Sequence, residues 1–280
     1  MQRKIKTTVK GGPTIDGAGV HLIRVLGRDT VEEFDPLLML DSFDTTNYDD
    51  YKGGFPEHPH RGIETISYIW KGGMTHKDSM GNEDTVGDGE VQWMTAGSGI
   101  MHSETIPKSD RLLGVQLWLN LPAKDKMTSP DYKAIKREDV KEIPFDGGKI
   151  RLLAGTYKDE KGYQSKYLPL DYYDIQLEPN KSITIETDED RSIALFTLIG
   201  DVKVGGEEVE EKTAVKLTQG DSVEIEALDN NAQVLFMSST KLEEPVVWGG
   251  PIVMNTHKQM QEATMDLHLG TFVKEKMDIE

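Results

Sequence analysis

Short apolar runs that recur along the whole chain predict many β-strands. Residues 63–70 alternate apolar and polar positions, which is typical of a strand with one buried face. Residues 37–41 are almost entirely apolar, and we expect them to be buried on both faces. Further strands are predicted at 20–26, 91–94, 113–119, 150–154, 172–177, 182–186, 194–204, 214–217, 222–226 and 234–238. Many short strands at regular spacing favour a sandwich or a barrel.

Two segments depart from this pattern. Residues 121–144 are rich in lysine and contain three prolines, and we interpret them as a connection between domains with one short helix. Only residues 256–268 have a helical pattern, with Met260, Ala263 and Leu267 on one face and Thr256 as the cap. Both halves repeat a strand–turn–Gly-Asp–strand order, as two copies of one β domain would. We therefore predict an all-β chain with domains at 1–130 and 131–280.

Composition narrows the class of protein. The chain has 280 residues, 36% of them hydrophobic, which is enough for a substantial core. It contains no cysteine, so disulfides, thiolate metal sites and thiol catalysis are excluded. The net charge of −17 disfavours direct binding to nucleic acid. Without an apolar run that suits a signal peptide or a membrane span, we expect a cytoplasmic protein with no membrane partner.

Two short fragments carry the candidate chemistry. His58-Pro59-His60 and His102-Ser103-Glu104 each place two metal-binding side chains two residues apart. Residues at this spacing point to the same face of a strand. Two such strands side by side would present three imidazoles and one carboxylate to a common point, and this donor set suits a divalent transition metal.

The residues around these fragments resemble the pirin family. The similarity covers residues 55–65, 92–104, 117–122 and 249–256, which together span most of the chain. It implies a bicupin, two jelly-roll β-barrels of which the first binds iron. The ligands would be His58, His60, His102 and Glu104. In many other cupins the position of Glu64 supplies the carboxylate, so the pirin pattern leaves Glu64 with a supporting or structural role.

The second barrel is expected to lack a metal, because no histidine lies between His102 and His257. When the cupin motif is laid over the turn at Gly220 and Asp221, Asn231 takes the place of the metal histidine. We expect this barrel to have an apolar interior.

The resemblance also implies an activity, because pirins are similar to quercetin 2,3-dioxygenases. We expect Fe(II), with Mn, Co, Ni, Cu or Zn as alternatives, and an aromatic small molecule and dioxygen as substrates. A flavonol such as quercetin could chelate the ion through its 3-hydroxyl and 4-carbonyl, with Glu104 as the catalytic proton acceptor. One alternative is an iron-dependent regulatory protein that binds a protein partner, as a transcriptional co-regulator or a modulator of a metabolic enzyme. Another is an occupied barrel without turnover.

Four further residues are candidates for substrate binding, and each has a structural alternative. Arg61 could attract an anionic substrate or form an ion pair that holds its loop. Phe55, Trp93, Met94 and also Trp118 could line an aromatic pocket or belong to the core, and we favour the core for Trp118. We expect the remaining histidines to lie at the surface or to have hydrogen-bond partners: His21, His76, His257 and His268.

Overall fold

The computed structural model describes residues 1–275, and most of them lie in antiparallel strands. The chain divides into two compact units that alternate along the sequence. The site unit comprises Pro13–Arg24, Leu37–Arg137 and the described residues from Leu242 on. The companion unit comprises Met1–Gly12, Val25–Pro36 and Glu138–Lys241. The division into one domain at 1–130 and a second at 131–280 stays a prediction.

The site unit is built on two antiparallel sheets. The order of the seven-stranded sheet is Asp131–Ile135, Glu90–Thr95, Ile63–Lys71, Leu112–Asn120, Leu37–Thr45, Val20–Leu26 and Gly12–Asp16. The order of the four-stranded sheet is Phe55–His60, Ile100–Thr105, Met74–Asp78 and Glu83–Val86. A hairpin of Val247–Gly249 and Ile252–Met254 is added by the last part of the chain. Apolar side chains such as Phe43, Ile69 and Met74 form a core cluster in this unit.

The companion unit repeats the plan. The order of its seven-stranded sheet is Ile5–Lys10, Thr213–Leu217, Ser192–Ile199, Ala232–Ser239, Leu170–Leu177, Gly148–Ala154 and Lys141–Phe145. The order of its four-stranded sheet is Ser182–Glu186, Ser222–Ala227, Val202–Val204 and Glu207–Val209. A two-stranded ribbon joins Thr156–Tyr157 to Glu160–Lys161. One edge of the larger sheet is therefore supplied by the first strand of the chain.

The interior of the companion unit is filled by apolar side chains, including Leu195, Val215 and a stacked pair of rings, Tyr173 and Phe236. Such packing is the expected interior of a small barrel. Asn231 does not lie inside it. It is exposed just before the strand Ala232–Ser239 begins. The alignment that placed it at a metal position was therefore wrong.

The all-β prediction is confirmed, with two corrections. The run at 194–204 is two strands, because Gly200 adopts a positive φ of 73° and turns the chain between them. The supposed connection at 121–144 contains the strand Asp131–Ile135, whose pairing with Glu90–Thr95 the lysines at 133 and 136 obscure. Single-turn 3₁₀ helices also lie there, at Ala123–Asp125 and Arg137–Asp139, with two more at Arg28–Thr30 and Tyr48–Asp50.

The described residues form two α-helices, Val31–Phe34 and His257–Leu269. The longer helix begins as predicted, because Thr256 accepts a hydrogen bond from the backbone N–H of Gln259 and completes a capping box. On its predicted apolar face Ala263 is buried, whereas Leu267 is 38% exposed. Neither helix has the length and apolar composition needed to cross a bilayer.

Candidate metal centre

Two adjacent strands of the site unit bring three histidines together. Phe55–His60 pairs with Ile100–Thr105, and His58 lies directly opposite His102. His60, two residues from His58, points to the same face of its strand. The ring centroids lie 4.3 Å apart for His58 and His102 and 5.0 Å apart for His60 and His102. The convergence follows directly from the two-residue spacing in the sequence.

The nitrogens of His58 and His60 that face away from the centre are fixed by backbone carbonyls. His58 Nδ1 lies 2.8 Å from the oxygen of Pro56, and His60 Nδ1 lies 2.9 Å from the oxygen of Pro251. Because a carbonyl oxygen only accepts hydrogen bonds, each Nδ1 carries the hydrogen. The two Nε2 atoms then present lone pairs to each other at 3.0 Å.

This arrangement fits a bound metal ion. The ligand atoms of His58, His60 and His102 all lie within 4.8 Å of one another. Two nitrogens about 2.1 Å from one ion and at a right angle would be about 3.0 Å apart. Nε2 of His102 is buried and has no hydrogen-bond partner among residues 1–275. An unpartnered buried nitrogen and two facing lone pairs are unfavourable unless a cation lies between them.

The electrostatics keep the buried imidazoles neutral, as metal binding requires. His60 and His102 are each 2% exposed. Burial, with the nearby His58, lowers the pKa of His60 to about 3 despite its bond to the Pro251 carbonyl. Burial and the neighbouring histidines, His60 first, also hold the pKa of His102 well below its usual value.

Glu104 is buried beside the three imidazoles and held by two amides. The Nε2 group of Gln116 donates to both carboxylate oxygens, at 3.2 and 3.1 Å, and Gln92 donates to Oε1. Burial raises the pKa of Glu104, opposed mainly by His58 and the bond from Gln116. Within the described residues, its oxygens lie outside the set of donor atoms that the three histidines form. Its role as a ligand stays a prediction.

Glu64 is a second buried carboxylate of the site unit. It is 1% exposed on Ile63–Lys71 and accepts a hydrogen bond of 2.7 Å from the hydroxyl of Thr95 on the adjacent strand. It does not join the three histidines in a common group of donor atoms within residues 1–275. Among the described residues Glu104 is outside that group as well, so the choice of Glu104 as the fourth candidate ligand rests on the pirin resemblance.

Arg61 is buried against the last part of the chain. Its Nη1 donates to Asp266 Oδ2 at 2.8 Å and its Nη2 donates to the carbonyl of Phe272 at 2.9 Å. The guanidinium also lies 4.3 Å from the centroid of the Phe272 ring. These contacts supply the ion pair that was the alternative to substrate binding. A role for Arg61 in substrate binding stays a prediction.

The other candidates for substrate binding lie on different faces. Phe55 is half-buried and meets the ring of Phe43 edge-on at 6.3 Å. Trp93 and Met94 are 2% and 1% exposed on Glu90–Thr95. Since Gln92 reaches Glu104, alternation along the strand places Met94 on the same face and Trp93 on the opposite one. Of these three, Met94 has the placement that best suits a wall of the site.

Several side chains lie around the histidines, and of these Trp248, Gln92 and Gln116 were not predicted from the sequence as site residues. The indole of Trp118 meets the ring of His60 edge-on at 5.0 Å, and Trp248 lies 5.6 Å beyond it. Trp118 is 7% exposed, so its prediction as a core residue is confirmed, but it also borders the site. Gln92 and Gln116 could have been predicted as site residues, because each is a polar residue inside a largely apolar strand.

The four remaining histidines are placed as predicted. His76 is fully buried and has a partner, since its Nε2 lies 2.8 Å from Asp78 Oδ2. His21 is exposed with its Nδ1 3.6 Å from Asp50, and His257 and His268 are exposed on the helix. None of the four belongs to the group of metal-capable donors found in residues 1–275.

The segment after His60 is locked against the hairpin near the C-terminus. Lys126 is 1% exposed, and its ammonium donates to the carbonyls of Gly62 and Val253 at 2.8 and 3.0 Å and to Asn120 Oδ1 at 2.7 Å. Gly62 has a φ of 79°, and a Cβ there would lie 2.0 Å from the oxygen of Val253. Only glycine permits so close an approach.

Comparison with known proteins agrees with this architecture. Residues 19–119 match the family model described as Pirin, and residues 172–273 match the one described as Pirin C-terminal cupin domain. A Pirin-like protein of Caulobacter vibrioides is 40% identical over 96% of this chain and 99% of its own. Pirin of Homo sapiens is 34% identical over 94% of this chain and 92% of its own.

A solved structure shares the fold over almost the whole length. Quercetin 2,3-dioxygenase from Acinetobacter baumannii superimposes with a TM-score of 0.89 at 31% identity, covering 97% of this chain and 99% of that one. The bicupin prediction, two jelly-roll β-barrel domains, is thereby confirmed. With relatives of this identity and coverage, the chain belongs to the pirin family.

Proposed function

We propose that this protein is a metal-dependent dioxygenase that opens a flavonol such as quercetin, with Fe(II) as the bound metal. The observation that carries the proposal is the convergence of three imidazoles, two of them buried and that of His58 half-buried, whose ligand atoms lie within 4.8 Å of one another. His58, His60 and His102 would hold the ion, with Glu104 as the fourth ligand. A structural relative that is 31% identical is named quercetin 2,3-dioxygenase, which supports this choice of substrate.

A divalent ion held there would supply the positive charge that makes the 3-hydroxyl of a chelating flavonol more acidic. Glu104 would accept the proton of that hydroxyl at a carboxylate oxygen. Burial raises the pKa of Glu104, and a base whose pKa lies nearer to neutral accepts a proton more effectively. The amide of Gln116, whose own oxygen accepts from the indole N–H of Trp118 at 3.4 Å, keeps the carboxylate in place.

Aromatic side chains beside the histidines would orient the substrate. The rings of Trp118 and Trp248 lie 5.6 Å apart, and Trp248 is half-buried. Rings of a flavonol can stack on such faces, and the indoles also keep water from the histidines. Trp118 touches His60, so a substrate placed on it would lie beside the three imidazoles.

The test is aerobic turnover. Protein loaded with Fe(II) is mixed with quercetin, and the loss of flavonol absorbance and of dissolved oxygen is followed. We expect the two to disappear in equal amounts, because a dioxygenase uses one O₂ for each substrate molecule. Metal-free protein and Fe(II) without protein measure the background oxidation. No turnover above that background with any first-row divalent metal would overturn the proposal and leave the regulatory alternative.

A further inference from the structure

His102 differs from the other two histidines in how its outer nitrogen is held. His58 and His60 each meet a carbonyl oxygen, which fixes the hydrogen on Nδ1. Nδ1 of His102 instead lies 3.3 Å from Nδ1 of His76. An imidazole nitrogen can donate or accept, so this contact alone does not say which ring carries the hydrogen.

Asp78 fixes the hydrogen on one nitrogen of His76. Its Oδ2 lies 2.8 Å from Nε2 of His76, and both side chains are fully buried. Its Oδ2 also accepts a hydrogen bond of 3.0 Å from the side-chain amide of Asn82, and its Oδ1 accepts from two backbone N–H groups. Asp78 is therefore an ionised acceptor, and Nε2 of His76 carries a hydrogen.

The direction of the remaining bond then depends on whether Nδ1 of His76 also carries a hydrogen, and metal binding by His102 requires that it does not. A neutral His76 with its hydrogen on Nε2 has a lone pair on Nδ1, and this lone pair accepts a hydrogen from Nδ1 of His102. His102 then has a lone pair on Nε2, which is the buried nitrogen without a partner within residues 1–275. If His76 carried both hydrogens, His102 would hold its hydrogen on Nε2 and could not bind a metal through that atom.

The surroundings keep His76 in this position. The ring of Tyr132 stacks on the imidazole at 4.2 Å and 12°. Backbone N–H groups of Met80 and Asn82 donate to Asp78 Oδ1 at 2.8 and 3.1 Å, which leaves Oδ2 directed at His76. Neither Asp78 nor His76 belongs to the three-histidine group, so their contact with that group runs through His102.

We propose that His76 is a positioning residue which, oriented by Asp78, sets the tautomer of His102 and so prepares its Nε2 for the metal. The inference rests on the metal site of the proposed function but not on the identity of the substrate. Residues behind a metal-bound histidine fix its tautomer and orientation, and their loss lowers metal affinity by about 10- to 100-fold.

The experiment measures the tautomer directly. Long-range ¹H–¹⁵N correlation spectra of histidine-labelled full-length protein are recorded without metal and with Zn(II), which is diamagnetic. We expect His102 to carry its hydrogen on Nδ1 in both states. A spectrum that places this hydrogen on Nε2 of His102 in the metal-free protein would overturn the proposal, whatever the variants do.

Variants separate the polar role from packing. His76→Phe keeps a ring that can stack on Tyr132 but has no acceptor, and we expect Zn(II) affinity to fall by about 10- to 100-fold. His76→Asn keeps a polar atom near the position of Nδ1, and we expect it to restore much of that loss. Exposed His21→Phe is the matched control and should bind Zn(II) like the parent. Equal affinity of the His76→Phe variant and the parent would contradict the proposal.

The outcome is independent of the proposed activity. If the parent shows the Nδ1 tautomer and binds Zn(II) as expected but does not oxidise quercetin, the enzyme proposal fails and the role of His76 stands. If quercetin is oxidised while His102 carries its hydrogen on Nε2, the role of His76 fails and the enzyme proposal stands.

Discussion

Arg61 Nη1 lies 2.8 Å from Asp266 Oδ2, and this bond joins the residue that follows His60 to a helix more than 200 positions later in the chain. Arg61 is 2% exposed, whereas the Asp266 side chain is 21% exposed. The guanidinium also donates to the carbonyl of Phe272. Loss of Asp266 would remove the negative charge that offsets the buried guanidinium, while the carbonyl of Phe272 would still accept a hydrogen bond from it.

The first prediction concerns this pair. Asp266→Ala should lower the free energy of unfolding by about 3 kcal/mol, the lower end of the range for breaking a buried pair, because the Phe272 carbonyl still accepts a bond. Urea denaturation of the metal-free protein measures it. Glu262→Ala on the same helix is the control, since its contact with Lys258 is exposed and 3.9 Å long, and should change stability by less than about 0.5 kcal/mol. Similar values for the two variants would contradict the prediction.

The second prediction separates the roles of two site residues. Glu104→Gln keeps size and one donor oxygen but removes charge and basicity, so we expect it to retain iron and lose about 10²- to 10⁴-fold of quercetin turnover. His102→Ala should lose metal and activity together. Glu57→Gln, an exposed position on the same strand as His58, should behave like the parent. Iron-loaded Glu104→Gln protein with parental turnover would show that Glu104 is not the base.

The third prediction is a stoichiometry of one ion per chain. The described residues contain one group of metal-capable donors, and the companion unit has an apolar interior. Elemental analysis should give one equivalent for the parent and for the control with His257→Ala and His268→Ala, and almost none when His58→Ala and His60→Ala are combined. In a crystal structure the ligand bonds should be about 2.0–2.3 Å long. Two equivalents in the parent would contradict this.

The fourth prediction concerns pH and Lys126. Burial lowers the pKa of Lys126 to about 7, opposed by Glu244, whereas a lysine in an unfolded chain has a pKa of about 10.4. Between these values the unfolded chain holds a proton that the folded chain has released. The free energy of unfolding should therefore rise with pH in this window, by at most about 1.4 kcal/mol per pH unit. Three acceptors favour the charged amine, so we expect a smaller slope than this limit.

Comparison of variants isolates that contribution. Lys126→Met has no group that titrates, so its stability should rise less between pH 7 and 10 than that of the parent. Lys124→Met, at an exposed position two residues earlier, should follow the parent. Denaturation curves at several pH values provide the slopes. A slope for Lys126→Met equal to that of the parent would mean that the lysine keeps its proton throughout the range.

Much of the fold and part of the site could be predicted from patterns among residues that are neighbours in the sequence. The strand at Val20–Leu26 and the cap at Thr256 depend on neighbours in sequence, and both were found where the pattern placed them. The two-residue spacing of His58 and His60 was sufficient to put their rings on one face. These features need no knowledge of which strands pair.

The missing parts of the site depend on pairing between distant strands. Gln116 reaches Glu104 only because Leu112–Asn120 is central in its sheet, and Tyr132 reaches His76 from an edge strand that lysines disguise. Lys126 lies in a lysine-rich stretch, a pattern that predicts an exposed side chain. In the structure its amine donates to three acceptors. No local pattern distinguishes it from Lys124.

The hydrogen bond from His60 to the Pro251 carbonyl has a consequence for synthesis on the ribosome. The acceptor follows its donor by 191 residues, so the nascent chain exposes His58, His60 and His102 long before Pro251 has been made. During that interval, nothing from the C-terminal hairpin holds the imidazole of His60. A metal captured then would meet a site with one ring still free to rotate. The orientation of His60 seen in the structure therefore requires a chain that has been completed beyond Pro251.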